Sequence, residues 1–199
     1  MTDIVLASRN PKKIKELKAL LADLPVRVLS LDDFCGVPEV EETGQTFAEN
    51  AEIKAKTVAQ ATGLISVADD SGLEVDALGG QPGVYSNRFA GPDATDRDKY
   101  MRILELLQGV PDDNRTARFH AAVAVATPEG ETVVVEGTCE GRIAREPRGE
   151  GGFGYDPIFY LPEFGRSMAE LPPDVKNQIS HRAKAMHAAK NVIRRLLSE

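Results

Sequence analysis

The stretch Leu64-Ile65-Ser66-Val67-Ala68-Asp69-Asp70-Ser71-Gly72 sets two adjacent carboxylates at the end of an apolar run. Leu64, Ile65, Val67 and Ala68 read as a short buried strand, and Ser71-Gly72 reads as the turn that ends it. Side chains on a strand alternate between two faces, so a straight strand aims only one of the aspartates at a given site. A turn beginning at Asp70 would bring both together. Paired carboxylates then raise one another's pKa or hold a divalent cation, as in hydrolytic sites. Asp, Ser and Gly equally make an ordinary solvated turn.

Working outward, Thr46-Phe47-Ala48-Glu49 spells a capping box, and Gly63 closes the helix that it opens. Farther upstream, Ile4 to Ala7 is a short apolar strand, followed by Asn10 as an N-cap and Pro11 at the first helical position. Ile14, Leu17, Leu20 and Leu21 give that helix its apolar stripe. Downstream, Gly79 to Gly83 is a loop, and Tyr100, Ile103, Leu104 and Leu107 mark a third helix that stops at Gly109. Arg118 to Thr127 and Thr132 to Gly137 alternate as a β-hairpin across Pro128-Glu129-Gly130. A Gly-rich segment, Gly149 to Pro157, leads into Ile158-Phe159-Tyr160. A last helix starts near Ser180 with Ala185, Ala189, Val192, Ile193 and Leu196 on one side. This order predicts an α/β fold with a mixed sheet. No repeat, low-complexity tract or linker interrupts residues 1–199, which are expected to form a single domain.

A chain of 199 residues suffices for one substantial core or for two lobes sharing a sheet. Its net charge of -7 argues against a general nucleic-acid binder, which needs a basic face to release counterions. An anionic small ligand remains compatible where basic residues cluster or a metal ion assists. Cys35 and Cys139 lie outside any CxxC spacing and suggest neither a disulfide framework nor a zinc site. Met1 to Leu6 carries no signal-peptide pattern, and no run approaches membrane-spanning length. The expected compartment is a reducing cytoplasm.

Four further groupings carry chemistry. Ser8-Arg9-Asn10-Pro11-Lys12-Lys13 joins strand to helix, where backbone N–H groups and the positive helix end suit a phosphate. It lacks the glycines of a Walker A loop, and it also reads as a solvated basic turn. Lys54 lies within about 20° of Phe47 on a helical wheel, in mid-stripe with Ala51 and Val58. It either snorkels to water or, if buried, requires an anionic partner such as a phosphate. Glu41-Glu42 could join Asp70 at a cation or stand exposed. Within Gly149 to Pro157, glycines permit close backbone approach, Phe153 or Tyr155 can stack on a planar base, and Asp156 can accept from ring N–H groups. A flexible loop ending in an Asp-Pro turn is the other reading. Ser180-His181-Arg182, with Lys176 before it, puts cations in the first turn of a helix against the macrodipole. That inversion points to an anion or polar ligand, or else to a solvated helix start. His120 and His187 look like ordinary strand and helix-surface residues.

Read in order, these segments resemble the inosine/xanthosine triphosphate pyrophosphatase family, the house-cleaning enzymes for aberrant purine nucleotides. The resemblance rests on [ST]xNxxK at Ser8 to Lys13, EETGxTFxENAxxKA at Glu41 to Ala55, ADDSGLxVDxLGGxPGxYSxR at Ala68 to Arg88, GGFGYDPIF at Gly151 to Phe159, and Lys176 with SHR at Ser180 to Arg182. Arg9 stands where Gly or Thr is frequent, and Ala183 where Gly is common.

The resemblance implies an elongated mixed β-sheet with flanking helices, two lobes around a central cleft, and a homodimer. It implies Mg²⁺-dependent hydrolysis of ITP, dITP or XTP between the α- and β-phosphates, giving monophosphate and pyrophosphate. Ser8, Asn10, Lys13 and Lys54 would grip the triphosphate, with Arg9 beside them. Asp70 would be the catalytic carboxylate, as general base or metal ligand, with Glu42 completing the metal site. Asp69 would support it, and Ser71 would touch substrate. Phe153, Gly154, Tyr155, Asp156, Lys176, His181 and Arg182 would form the base pocket. Donors near His181-Arg182 would read the 6-keto group, which adenine lacks. The alternatives are a pyrophosphatase for another modified nucleotide class and a non-catalytic nucleotide-binding module.

Overall fold

The computed structural model describes residues 2–198. Strand β1 (Thr2–Leu6) leads through helix α1 (Pro11–Leu20) to β2 (Val26–Ser30), and helix α2 (Phe47–Thr62) returns the chain to β3 (Ile65–Val75). β1 lies between β2 and β3 and pairs with both in parallel. Parallel neighbours need a long crossover, and α1 and α2 lie on these connections. Helix α3 (Asp96–Leu106) precedes a hairpin of β4 (Thr116–Ala126) and β5 (Thr132–Ile143). Short antiparallel strands β6 (Phe159–Leu161) and β7 (Arg166–Ser167) follow, then helices α4 (Pro173–Ile179) and α5 (His181–Leu196). The sheet runs β2-β1-β3-β4-β5-β6-β7, which is the expected mixed α/β architecture.

The N-caps and the Gly63 terminator acted as read, whereas the capping box expected at Thr46–Glu49 is only half formed. The Asn10 side chain accepts from the backbone N–H of Lys12 and Lys13, and Pro11 needs no donor of its own. Thr46 accepts from Glu49 N–H, and Gly63 ends α2 in the left-handed region at φ 68°. The Glu49 carboxylate reaches back one residue beyond the cap, accepting from Gln45 N–H at 2.6 Å.

The main departure is in β3. Asp69-Asp70-Ser71-Gly72 does not turn; the strand continues to Val75, and residues 66–73 are all buried. Burial on both faces overrides the local preference of Ser and Gly for a turn. Beyond the glycine, Leu73 N–H donates to Ser86 Oγ at 2.9 Å and Val75 N–H to the Gln81 carbonyl at 3.1 Å. β2 and α4 are elements that periodicity did not reveal. Each is short, and Val26 and Val28, or Val175 and Ile179, pack only at a core margin.

The chain divides into two compact units: Met1–Asp70, Ala121–Gly137 and His181–Glu199 in the first, and Ser71–His120 and Thr138–Ser180 in the second. The boundaries fall inside β3 and β4, within β5, and between α4 and α5. The first unit's core joins Ile4, Leu6 and Val67 of the strands to Leu17 and Leu21 of α1 and Met186, Ala189 and Ile193 of α5. The second unit's core gathers Leu73, Ile103, Leu107, Phe119, Phe159 and Met168. Among the described residues no helix is long and apolar enough to cross a membrane.

Within the first unit, Gly137 does not end its strand. A Cβ there would lie 2.5 Å from both the His181 carbonyl oxygen and Ala185 N, because the first turn of α5 rests on this point. Gly137→Ala should therefore cost about 1–3 kcal/mol of unfolding free energy, the usual range for overpacking. Urea denaturation would measure it, and a variant as stable as the parent would show that α5 does not sit so close.

Candidate active site

Strand alternation sends the two aspartates to opposite faces of β3, so each has its own partners. Val67 and Asp69 share the face covered by α1 and α5, and Asp70 faces α2. α2 presents Lys54 from mid-stripe, as its wheel position predicts. The half-buried ammonium donates to Glu42 Oε1 at 2.7 Å, to Asp70 Oδ1 at 3.1 Å and to the Asp69 carbonyl at 2.9 Å. Lys54 thus neither snorkels nor lacks an anion; its partners are carboxylates of the chain itself. Burial works against its charge, but Asp70 and Glu42 outweigh it and hold its pKa above the ordinary lysine value.

Asp70 is placed differently from a surface carboxylate. Burial pushes its pKa up, the Lys54 charge opposes this, and nearby Glu42 adds to the rise. Its Oδ2 is buried and has no hydrogen-bond partner among the described residues. A buried, unsatisfied oxygen is costly and marks a group awaiting a proton, a ligand or a cation. Glu42 is brought here by a loop that Asn50 fixes. Gly44 N–H donates to Asn50 Oδ1 at 2.7 Å, and a Cβ on Gly44 would lie 2.7 Å from that oxygen. Asn50 is a positioning residue whose sequence signal was its place one turn before Lys54.

On the other face, buried Asp69 receives Lys13 Nζ at 2.8 Å on Oδ2 and Arg182 Nε at 3.2 Å on Oδ1. Arg182 also donates to Glu16 Oε2 at 2.5 Å. Burial alone would raise the Asp69 pKa, but the charges of Arg182 and Lys13 overwhelm it and hold the carboxyl well below the usual range. The cation at the start of α5, which opposes the macrodipole, is therefore balanced by Asp69 and Glu16. Glu16 escaped the sequence reading, since only the fold brings it to a residue 166 positions away.

At the start of α1, Ser8 Oγ accepts from Asn10 N–H at 3.2 Å, and Asn10 Oδ1 occupies the N–H groups of Lys12 and Lys13. Arg9 is turned toward Asp32 at 3.6 Å, an exposed and weak pair. His181 opens α5 as a buried residue, and Ser71 is buried in β3.

The Gly-rich loop belongs to the second unit, together with Lys176. Asp156 Oδ2 accepts from Phe153 N–H at 2.9 Å and from Lys176 Nζ at 2.7 Å, and that ammonium lies 4.9 Å from the Phe153 ring centre. Gly154 N–H donates to Asp96 at 2.9 Å, and the Tyr155 hydroxyl to the Ser86 carbonyl at 2.7 Å. The loop is pinned from both sides. Gly152 is at φ 69°, and a Cβ there would lie 2.0 Å from Asp156 Oδ2. Gly152→Ala should break the Asp156–Lys176 pair and raise KM for the substrate about tenfold or more, with the first unit's stability unchanged. Steady-state kinetics would check it; an unchanged KM would detach this loop from binding.

The oxygens of Glu42 and Asp70 fit a hard divalent cation. Mg²⁺ is held by one or two carboxylates, with waters and substrate phosphates supplying the rest, and Asp70 Oδ2 is the unsatisfied donor such an ion requires. Among the described residues no group of three or more His, Cys, Asp or Glu side chains gathers as a metal cage.

A family model described as the Ham1 family matches residues 4–192. Among curated proteins, the chain is 58% identical over 186 residues to a dITP/XTP pyrophosphatase of Geobacillus kaustophilus, covering 94% of this chain and 91% of that one. It is 48% identical over 195 residues to a dITP/XTP pyrophosphatase of Coxiella burnetii, covering 97% of each. Among solved structures, a HAM1 protein from Coxiella burnetii superposes with a TM-score of 0.89 at 47% identity, over 98% of this chain and 100% of that one. The Staphylococcus aureus Ham1 protein does so with a TM-score of 0.86 at 41% identity, over 96% and 98%.

Proposed function

The chain belongs to the Ham1 family, and from that premise we propose that it hydrolyses dITP, ITP and XTP to the monophosphate and pyrophosphate, keeping them out of DNA and RNA. The observation that carries the reading is the Asp70–Lys54–Glu42 cluster, with a buried, unsatisfied Asp70 oxygen. Its near relatives are named for this activity.

Asp70 aligns the attacking water and takes its proton, a task suited to a carboxyl whose pKa is raised by burial. Asp70 and Glu42 would hold Mg²⁺, which when bound neutralises charge building on the phosphoryl oxygens. Lys54 keeps the two carboxylates together. Ser8, Arg9, Asn10, Lys13 and Lys54 serve the triphosphate, and Ser71 touches substrate. Asp69 is a positioning residue that holds Lys13 and Arg182. Phe153, Gly154, Tyr155, Asp156 and Lys176 hold the base, and the His181-Arg182 turn reads its 6-keto group. The working form in this reading is a cytoplasmic homodimer, which sedimentation would test.

The deciding experiment is product analysis with Mg²⁺ on ITP, dITP, XTP, ATP and dUTP. Equal yields of monophosphate and pyrophosphate are expected, with the 6-keto purines preferred about 100-fold or more over ATP. Preference for dUTP would move the substrate class. Absence of product from every nucleotide would leave a binding module.

A further inference from the structure

The second unit holds a cavity of about 310 Å³ whose lining includes Arg115, Arg142, Arg145 and Arg148, in a chain whose net charge is -7. Four arginines lining one small cavity run against the balance of the whole molecule. Asp112 and Glu146 also line it and Asp113 pairs with Arg142, leaving one positive charge in excess.

Arg115 is the informative member. It is 3% exposed, yet its hydrogen bonds go to three neutral groups: Nε to the Ile143 carbonyl at 2.8 Å, and the terminal nitrogens to Leu107 at 2.8 Å and Ala144 at 2.9 Å. Among the described residues no carboxylate bonds it. A guanidinium has five N–H donors, so two remain beyond these three. Burial opposes its charge, Arg145 adds repulsion, and Asp112 compensates only in part. A buried cation normally carries an anionic partner. The other three arginines pair with exposed carboxylates: Arg142 with Asp113 at 3.3 Å, Arg145 with Asp112 at 2.7 Å and Arg148 with Glu146 at 3.1 Å. Such surface pairs are weak and exchangeable.

The frame around the cavity is built. Ile143 N–H donates to the Arg115 carbonyl at 2.8 Å, Arg148 N–H to Pro157 at 2.8 Å, and Ser167 Oγ to the Arg148 carbonyl at 2.7 Å. Planar guanidinium forks match phosphate oxygens two at a time, which a single carboxylate partner cannot exploit from several sides. The volume is at the lower end for ligand pockets and suits a compact anion rather than a whole nucleotide.

We propose that this arginine-lined cavity binds a small phosphate anion, orthophosphate or pyrophosphate, at a site separate from the Asp70 cluster. The test is calorimetric titration of each anion into the protein without divalent metal. Arg145→Ala/Arg148→Ala removes two exposed forks and leaves Arg115 in place; Lys54→Met disables the Asp70 cluster. Both variants are first checked as folded by circular dichroism. Binding should weaken about tenfold or more in the arginine variant and persist in Lys54→Met. Loss of pyrophosphate binding alone would identify the diphosphate as ligand, and loss of both would identify a single phosphoryl group as the unit recognised. Binding unaffected by the arginine variant, or no binding of either anion to the parent protein, would overturn the proposal. Hydrolysis of ITP is measured separately, so failure here leaves the proposed activity standing.

Discussion

Asp70→Asn should lower ITP turnover by about 10²–10⁴-fold, the span that a positioned acid–base group contributes. The same variant should stay folded. Asp70 Oδ2 has no hydrogen-bond partner among the described residues, and burial already disfavours the carboxylate charge. A neutral amide removes a charge that burial disfavours, its oxygen can still accept from Lys54, and Lys54 keeps Glu42 at 2.7 Å. Pyrophosphate release and urea denaturation on one preparation would check both halves. Turnover within about tenfold of the parent, equivalent to about 1.4 kcal/mol of barrier, would remove Asp70 from the chemistry.

Asp69→Ala, one residue away, should do the opposite and strike the fold first. Asp69 is the anion between Lys13 and Arg182, and all three side chains are buried. Removing it takes the anion from Lys13 and one of the carboxylates from Arg182, which should cost about 3–5 kcal/mol, as for other buried pairs broken on one side. Chemical denaturation would measure the loss. A cost below about 1 kcal/mol would mean that water reaches these charges. Asp69→Asn should be milder, since an amide oxygen still accepts one of the two bonds.

The contrast between neighbours follows from strand geometry, and it marks where the sequence could be read. Asn10, Pro11, Thr46 and Gly63 announce their helix ends because caps depend on residues three or four positions away. The course of β3 through Ser71-Gly72 was not legible in this way. What holds it extended is burial and donors bound to Gln81 and Ser86, outside any local window. Cations in apolar or dipole-opposed places, Lys54 and Arg182, correctly signalled a need for anions. Their partners proved to be Glu42, Asp70, Asp69 and Glu16, of which only the first three lay in noticed motifs. The place of Asn50 one turn before Lys54 was legible, but its bond from Gly44 N–H was not, because that bond spans a loop whose path periodicity does not encode.

The clamp on Asp69 also fixes an order of events in synthesis. Arg182 lies 113 residues beyond Asp69 and 166 beyond Glu16. A chain made from its N-terminus exposes Lys13, Glu16 and Asp69 well before the residue that completes their ion pairs is translated. Until then the Asp69 face of β3 lacks both its second cation and the apolar stripe of α5. The first unit can reach its final packing only when the last helix arrives, so the nascent protein must remain soluble while its longest-range contacts are still missing.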